Sequence, residues 1–241
     1  SVFGMRTAPE NFAGEKLKIA CDYCRERVVR GSLTVNTLPR NEHIPLRPGC
    51  RDHAARCGVD AFIISDLGVL EYAKKYAPQV EIHISTQAGI VNYAAANAFY
   101  KLGAKRIVTA RELSLEELSR MHEACPIEIE AFVHGALCYS YSGQCLMSSL
   151  IGGRSGNRGR CAQPCRLPYQ TVLCGESKDR TSENRISAKR SQGKRKQGKR
   201  NAEEICPLSL KDISTIEILP QILDAGVTSL KIEGRMKQPG Y

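Results

Sequence analysis

Four cysteines fall within Glu130–Tyr169, at positions 138, 145, 161 and 165, with the spacing C-x6-C-x15-C-x3-C. Thiolates so grouped are soft ligands, and three chemistries compete for them. A [4Fe–4S] cluster takes four thiolates at irregular spacings set by a loop. A structural zinc usually shows paired C-x2-C knuckles, which this stretch lacks. The third reading is buried cysteine acting as a small apolar side chain. Gly135, Gly143, Gly152, Gly153, Gly156 and Gly159 surround the four. Glycine allows positive φ and close backbone approach, which a loop folding around a compact centre needs. The exposed N–H groups of such a loop can also hydrogen-bond cluster sulfur. Cys21 and Cys24 form a C-x2-C inside an amphipathic stretch with no second pair nearby, and read as packing residues. Cys50, Cys57, Cys125, Cys174 and Cys206 are scattered and take no role. Eleven cysteines is an odd count, against complete internal disulfide pairing. With a chain long enough to bury a core unaided, this points to a reducing, cytoplasmic compartment.

The elements that must position the thiols alternate in type. Short β-branched runs read as strands at Ser32–Thr37, Ala61–Ser65, Glu81–Ser85, Arg106–Thr109, Ile127–Val133, Leu208–Leu210 and Ser229–Ile232. Helical periods lie at Asn11–Val29, Val69–Tyr76, Asn92–Leu102, Ser114–Ala124 and Ile213–Ala225, the last ended by Gly226. Ser114 and Glu117 make a capping box: the Ser oxygen accepts from an orphan N–H and the Glu reaches back. Runs without strict alternation suit strands buried on both faces, hence a parallel sheet with crossover helices. The expected fold class is α/β, a (β/α)8 TIM-like barrel over 1–241 as one domain, with a doubly wound sheet as the competitor. No GxGxxG follows a strand, which disfavours the competitor. In a barrel, the cysteine loop after the strand ending near Val133 lies on the carboxyl face, where active sites sit.

The formal charge is +10 over 241 residues, and half of it comes from Glu176–Glu204, with ten Lys/Arg against five Asp/Glu. Residues 175–203 read as a low-complexity, disordered basic insertion. It is either a solvated loop or an accessory tether for RNA phosphates, and it has no aromatic residue for base stacking. The sequence has no run of eighteen apolar residues, so no membrane span is expected.

The stretch from Glu130 resembles peptidase family U32, the collagenase-like peptidases. The family signature E-x-F-x2-G-[SA]-[LIVM]-C-x4-G-x-C-x-[LIVM]-S is matched by Glu130, Phe132, Gly135, Ala136, Leu137, Cys138, Gly143, Cys145, Met147 and Ser148. FGMR, LTVNTL, ISDLGVL, HISTQ, ARELSLEEL, LSLKDI and SLKIEGRMK agree along the rest of the chain. Relatives begin with a further strand and helix, so the resemblance implies a barrel that lacks its first βα unit. The family name implies proteolysis, yet the sequence has no H-E-x-x-H and no G-x-S-x-G, and its five His show no zinc-ligand spacing. A Cys–His peptidase built on Cys138 and His134 is conceivable. A weaker third reading is a non-catalytic cluster or partner-binding protein.

The run IGGRSGNRGRCAQPCRLPY is similar to the family branch that makes 5-hydroxycytidine in 23S rRNA, and next to the branch that makes 5-hydroxyuridine in tRNA. This resemblance implies oxygen-independent RNA base hydroxylation. It implies a [4Fe–4S] cluster on Cys138, Cys145, Cys161 and Cys165, with prephenate as hydroxyl donor. RNA is then the expected partner, and a protein partner or homo-oligomer is admissible. The target base would flip into the barrel mouth. Of the polar residues at predicted strand ends, Glu112, His134, Lys211 and Glu233 are the catalytic candidates, with His134 as acid/base. Asn36, Asp66 and Gln87 are candidate substrate contacts. Arg154, Arg158, Arg160 and Arg166 crowd the loop, with forks suited to phosphate or to a donor's carboxylates. Arg111–Glu112 and Lys231–Glu233 are the expected ion pairs if these side chains are structural instead.

Overall fold

The computed structural model describes residues 12, 14–43, 53–169, 206–234 and 240. The basic insertion lies outside them, as do Cys50 and Cys174. Strands β1 (Ser32–Val35), β2 (Ala61–Ile64), β3 (Glu81–Ile84), β4 (Arg106–Val108) and β5 (Glu128–Gly135) pair parallel in sequence order, and β7 (Val227–Glu233) pairs parallel with β5. A doubly wound sheet reverses its order at a switch point; here the order never reverses, as in a barrel. Among the described residues β1 pairs only with β2 and β7 only with β5, so the ladder is open at both ends. The architecture is an incomplete (β/α) barrel. No helix among the described residues is long and apolar enough to cross a membrane.

The register places one apolar row across six strands: Val35, Ile64, Ile84, Ile107, Ile129 and Val227. All six are buried. They pack with Leu70 and Ala73 of α2 (Leu67–Tyr76), Ala96 of α3 (Tyr93–Lys101), and Leu118 and Met121 of α4 (Leu115–Ala124). Removing this surface from water supplies the main driving force for the sheet. Each helix starts on a side-chain cap: Asp66 for α2, Asn92 for α3, and Ser114 with Glu117 in the expected capping box for α4.

On the opposite sheet face the same alternation places charge. Arg106 bonds Glu128 at 2.7 Å and Glu130 at 3.3 Å, and Lys231 bonds Glu130 at 2.7 Å. The Ser229 hydroxyl donates to Glu130 at 3.0 Å. His83, nearly fully buried, lies 3.2 Å from Glu81, which also pairs with Arg30.

Three sequence expectations need correction. The strand expected at Leu208–Leu210 is a turn and extended chain. The expected helix Ile213–Ala225 is instead a short strand, β6 (Ile213–Ser214), then a 3-10 turn, then helix α6 (Leu219–Asp224). Pro220 explains the late start: its ring is tolerated in a first helical turn and not in a helix interior. β6 runs antiparallel to the end of β5, where the N–H and hydroxyl of Thr215 both donate to the Val133 carbonyl. The helix expected to reach Val29 ends earlier, as α1 (Glu15–Glu26). The N–H groups of Val28 and Val29 turn back to the carbonyls of Arg25 and Cys24, the pattern of a Schellman stop. Val28 occupies its left-handed position at φ 57°, where glycine is usual. Cys21 of this helix is buried, as expected of a packing residue. Burial pushes its thiol up, as do Cys57 and Cys24.

Candidate functional site

The chain leaving β5 turns at Gly135, whose φ is 123° and whose hydrogen lies where a Cβ would stand 2.2 Å from the Glu233 carbonyl oxygen. Only glycine permits this approach of β5 to β7, which sets where Leu137 and Cys138 emerge. The loop then docks on the turn after β3. Gly143, at φ 78°, sits against the Gln87 carbonyl, where a Cβ would come within 2.2 Å of the oxygen. The Ser142 N–H donates to Glu112 Oε1 at 2.9 Å, and the Ser142 hydroxyl accepts from the Arg111 N–H at 3.3 Å. Gln87 Nε2 donates to Asn157 Oδ1 at 2.8 Å, linking the same turn to the far side of the loop.

Between these anchors lies helix α5 (Met147–Gly152), followed by two 3-10 turns. The buried Ser148 hydroxyl accepts from the Ala162 N–H at 2.9 Å. Arg166 closes the unit. Its guanidinium donates to the Leu137 carbonyl at 2.7 Å, to the Ser209 hydroxyl at 3.0 Å and to the Leu210 carbonyl. One cation thereby ties the β5 exit, the second cysteine pair and the segment after residue 206.

All four loop cysteines are free thiols; Cys138 and Cys161 are exposed, Cys145 and Cys165 partly buried. Burial pushes the Cys165 thiol up, Arg166 pulls it down, and the thiols of Cys161, Cys138 and Cys145 push it up again. Cys165 thus lies within electrostatic reach of the other three. Gln163, in a left-handed conformation at φ 57°, aims its N–H at Cys161 Sγ from 3.3 Å. Strained backbone of this kind collects at functional sites. Among the described residues no three His, Cys, Asp or Glu side chains stand at metal-holding separations. The set fits an iron–sulfur centre in donor type, number and neighbourhood rather than in finished coordination geometry.

The other candidates divide by what holds them. Asn36, buried at the end of β1, donates to the Ser85 hydroxyl at 3.0 Å and accepts from Ser65 through its carbonyl. Asp66 uses Oδ1 to cap α2. Gln87 and Glu112 bear on the loop as described. His134 lies in β5, half-buried and opposite Ser214. Lys211 is exposed. Arg154 bonds the Arg160 carbonyl through Nε, and Arg158 lies 3.2 Å from His43 Nε2. The expected ion pairs are exchanged: Arg111 pairs with Glu233 at 3.8 Å and stacks on Phe132, while Lys231 pairs with Glu130. The reason is the pleat, which puts Lys231 beside Phe132 and Glu130 on one sheet face. Sequence reasoning missed Ser142 and Asn157 as partners of the loop. Small polar residues next to Gly143 and Gly156 were the available signal.

A family model described as "Peptidase family U32" matches residues 1–241. A tRNA hydroxylation protein P from Helicobacter pylori is 36% identical over 244 residues, covering 100% of this chain and 55% of that protein. The 23S rRNA 5-hydroxycytidine C2501 synthase of Escherichia coli is 37% identical over 209 residues, covering 87% of this chain and 28% of that protein. A protein named Collagenase from Porphyromonas gingivalis is 36% identical over 242 residues, covering 96% of this chain and 53% of that protein. The chain thus spans about half the length, or less, of these curated relatives.

Proposed function

Because the chain belongs to peptidase family U32, we propose that it is an RNA-modifying enzyme that hydroxylates a pyrimidine base, giving 5-hydroxycytidine in rRNA or 5-hydroxyuridine in tRNA without dioxygen. The observation that carries this reading is that one glycine-rich loop, at the carboxyl end of a parallel strand, bears four free thiols. The names of the tRNA- and rRNA-hydroxylating relatives support RNA as the substrate.

Cys138, Cys145, Cys161 and Cys165 would hold a [4Fe–4S] cluster, which supplies one-electron chemistry when bound. Glu112, Gln87 and Arg166 fix the loop through Ser142, Asn157 and Leu137, so that the thiols keep their places as substrate enters. Arg154, Arg158 and Arg160 would take the carboxylates of a prephenate-like donor or the phosphates of RNA. His134, at the root of the loop, would move a proton at its imidazole. Lys211 and Glu233 are the further candidate contacts, and the thiols call for the reducing cytoplasm.

Nucleoside mass spectrometry of RNA from a strain lacking the protein tests the substrate. Loss of 5-hydroxycytidine or 5-hydroxyuridine is expected, and unchanged levels of both overturn the reading. The collagenase-named relative keeps peptide hydrolysis as the alternative. Cleavage of a denatured collagen peptide that survives both Cys145→Ala and iron chelation would establish it.

A further inference from the structure

Two tyrosines of the thiol loop have no part in the chemistry above. Tyr139 and Tyr141 lie between Cys138 and Ser142, and they are 56% and 68% exposed. Tyrosine is enriched at contact surfaces because its ring is apolar and its hydroxyl can stay wet. The backbone behind them is held: Ser142 is bonded to Glu112, Gly143 is seated on Gln87, and the Gln144 N–H returns to the Tyr141 carbonyl at 3.1 Å. The rings are therefore presented from a fixed base. Leu146, just before α5, and Leu150 and Ile151 within it are exposed as well.

Charge identifies the partner. From Ala131 to Gly175 the sequence contains no Asp or Glu, while Arg154, Arg158, Arg160 and Arg166 all fall within it. Arg166 is engaged by Leu137, Ser209 and Leu210, but Arg154 and Arg160 are exposed. They stand on the same hydrogen-bonded unit as Cys161, through the Arg154–Arg160 and Ser148–Ala162 contacts. Gln87 touches both Gly143 and Asn157, so the tyrosine stretch and the arginine stretch are held on one turn. The carboxylate at this place, Glu112, is taken up by Ser142. Exposed aromatic rings and exposed cations on one braced loop suit single-stranded nucleic acid. Its bases stack on the rings and its phosphates meet the guanidinium groups.

We infer that Tyr139 and Tyr141 form a base-stacking platform that holds single-stranded RNA across the mouth of the thiol loop, with Arg154 and Arg160 tracking the backbone. The inference deepens the RNA-hydroxylase reading and rests on it. The two tyrosines are positioning residues: they hold nucleotides flanking the reactive base in place and take no part in bond making.

The test is fluorescence anisotropy with a labelled, single-stranded pyrimidine oligoribonucleotide across a range of salt. It uses the full 241-residue chain and its Tyr139→Ala, Tyr141→Ala, Tyr139→Phe, Tyr141→Phe and Arg160→Ala variants. Each Tyr→Ala change should weaken binding on the order of tenfold and leave the salt slope unchanged, because stacking releases no counterions. The Phe variants should bind as wild type does. Arg160→Ala should lower the slope by about 0.7, the loss of one phosphate contact. If wild type binds RNA and folded Ala variants bind equally well, the platform is wrong and the hydroxylase reading stands. If Ala variants lose their unfolding transition, the Phe pair decides, and equal loss of binding there overturns stacking. Ala variants that bind RNA normally but no longer self-associate in sedimentation would make the patch a protein interface and overturn the proposal. A wild-type chain that binds no RNA removes the platform and the RNA reading together.

Discussion

The charged row on the sheet and the thiol loop at its end are both polar, and they differ in whether their groups satisfy one another. Glu130 accepts from Lys231, Ser229 and Arg106, three donors around one carboxylate. Burial alone would push its carboxyl up, yet these donors outweigh burial and hold it below the ordinary glutamate range. The row is closed on itself and belongs to the fold. In the loop, hydrogen bonds fix the backbone, while the Gln163 N–H meets the Cys161 thiol and Cys165 feels the Arg166 charge. Side chains left this way, on backbone so firmly anchored, are ready for something outside the chain. A satisfied network reads as structure; a braced but unsatisfied one reads as a site.

Substitution can break the contrast at either end. The largest effect should follow from Glu130→Ala, which leaves Lys231 and Arg106 facing each other across a vacated position. Breaking a fully buried pair costs about 3–5 kcal/mol. These cations are 26% and 22% exposed, so a loss of about 2–3 kcal/mol is expected in urea unfolding. Cys138→Ser should instead change the stability of the metal-free chain by less than about 0.5 kcal/mol. It should also abolish iron binding on anaerobic reconstitution, where the wild-type chain takes up about four iron and four sulfide. Equal destabilisation by the two changes would erase the distinction.

Gly143→Val sharpens the comparison from within the loop. It forces a β-branched residue to positive φ and against the Gln87 carbonyl, at a cost of about 1–3 kcal/mol. The effect should be local: hydrogen exchange over residues 138–146 speeds up while that of β2 to β4 is unchanged. Ser142→Ala removes the hydroxyl between Glu112 and Arg111 but keeps the backbone bond, and should cost about 1 kcal/mol or less in the same measurement.

Acid should act on the row. Burial pushes the His83 imidazole down, against the pull of Glu81. His83 is thus neutral in the fold, and the unfolded chain takes up its proton first, starting near pH ~6.5. Stability from His83 is full above that point and is lost as pH falls toward the folded value. Glu130, also lowered, adds a second loss beginning near pH ~4.3. The urea midpoint should therefore fall between neutral pH and about pH 5, and His83→Gln should flatten that limb. The smallest effect is a gain. Val28→Gly relieves a left-handed β-branched residue at the end of α1 and should stabilise the chain by about 0.5–1 kcal/mol, read as a rise in Tm.

Much of the sheet was legible because β-branched runs mark parallel strands, and the capping box at Ser114 marks a helix start in side-chain chemistry. The end of α1 was not legible, since Val28 occupies a position where the sequence signal would be glycine. The region after residue 206 misled for a related reason. Its apolar spacing suits a helix, but Pro220 and the open end of β5 take the chain into β6 and a shorter helix. In the site, the cysteine spacing and the flanking glycines were visible from the sequence. The ion pairs were not, because neighbours in sequence such as Arg111 and Glu112 reach different partners from the turn after β4.

Arg166 carries one more consequence. By grasping Leu137, Ser209 and Leu210 together, it holds the stretch before Tyr169 against the stretch after Cys206. A loop closed on ends held this way can lengthen or shorten at a free-energy change that grows only with the logarithm of its length. Changing the number of residues between Tyr169 and Cys206 should therefore cost little stability, with the strands and thiols left in register.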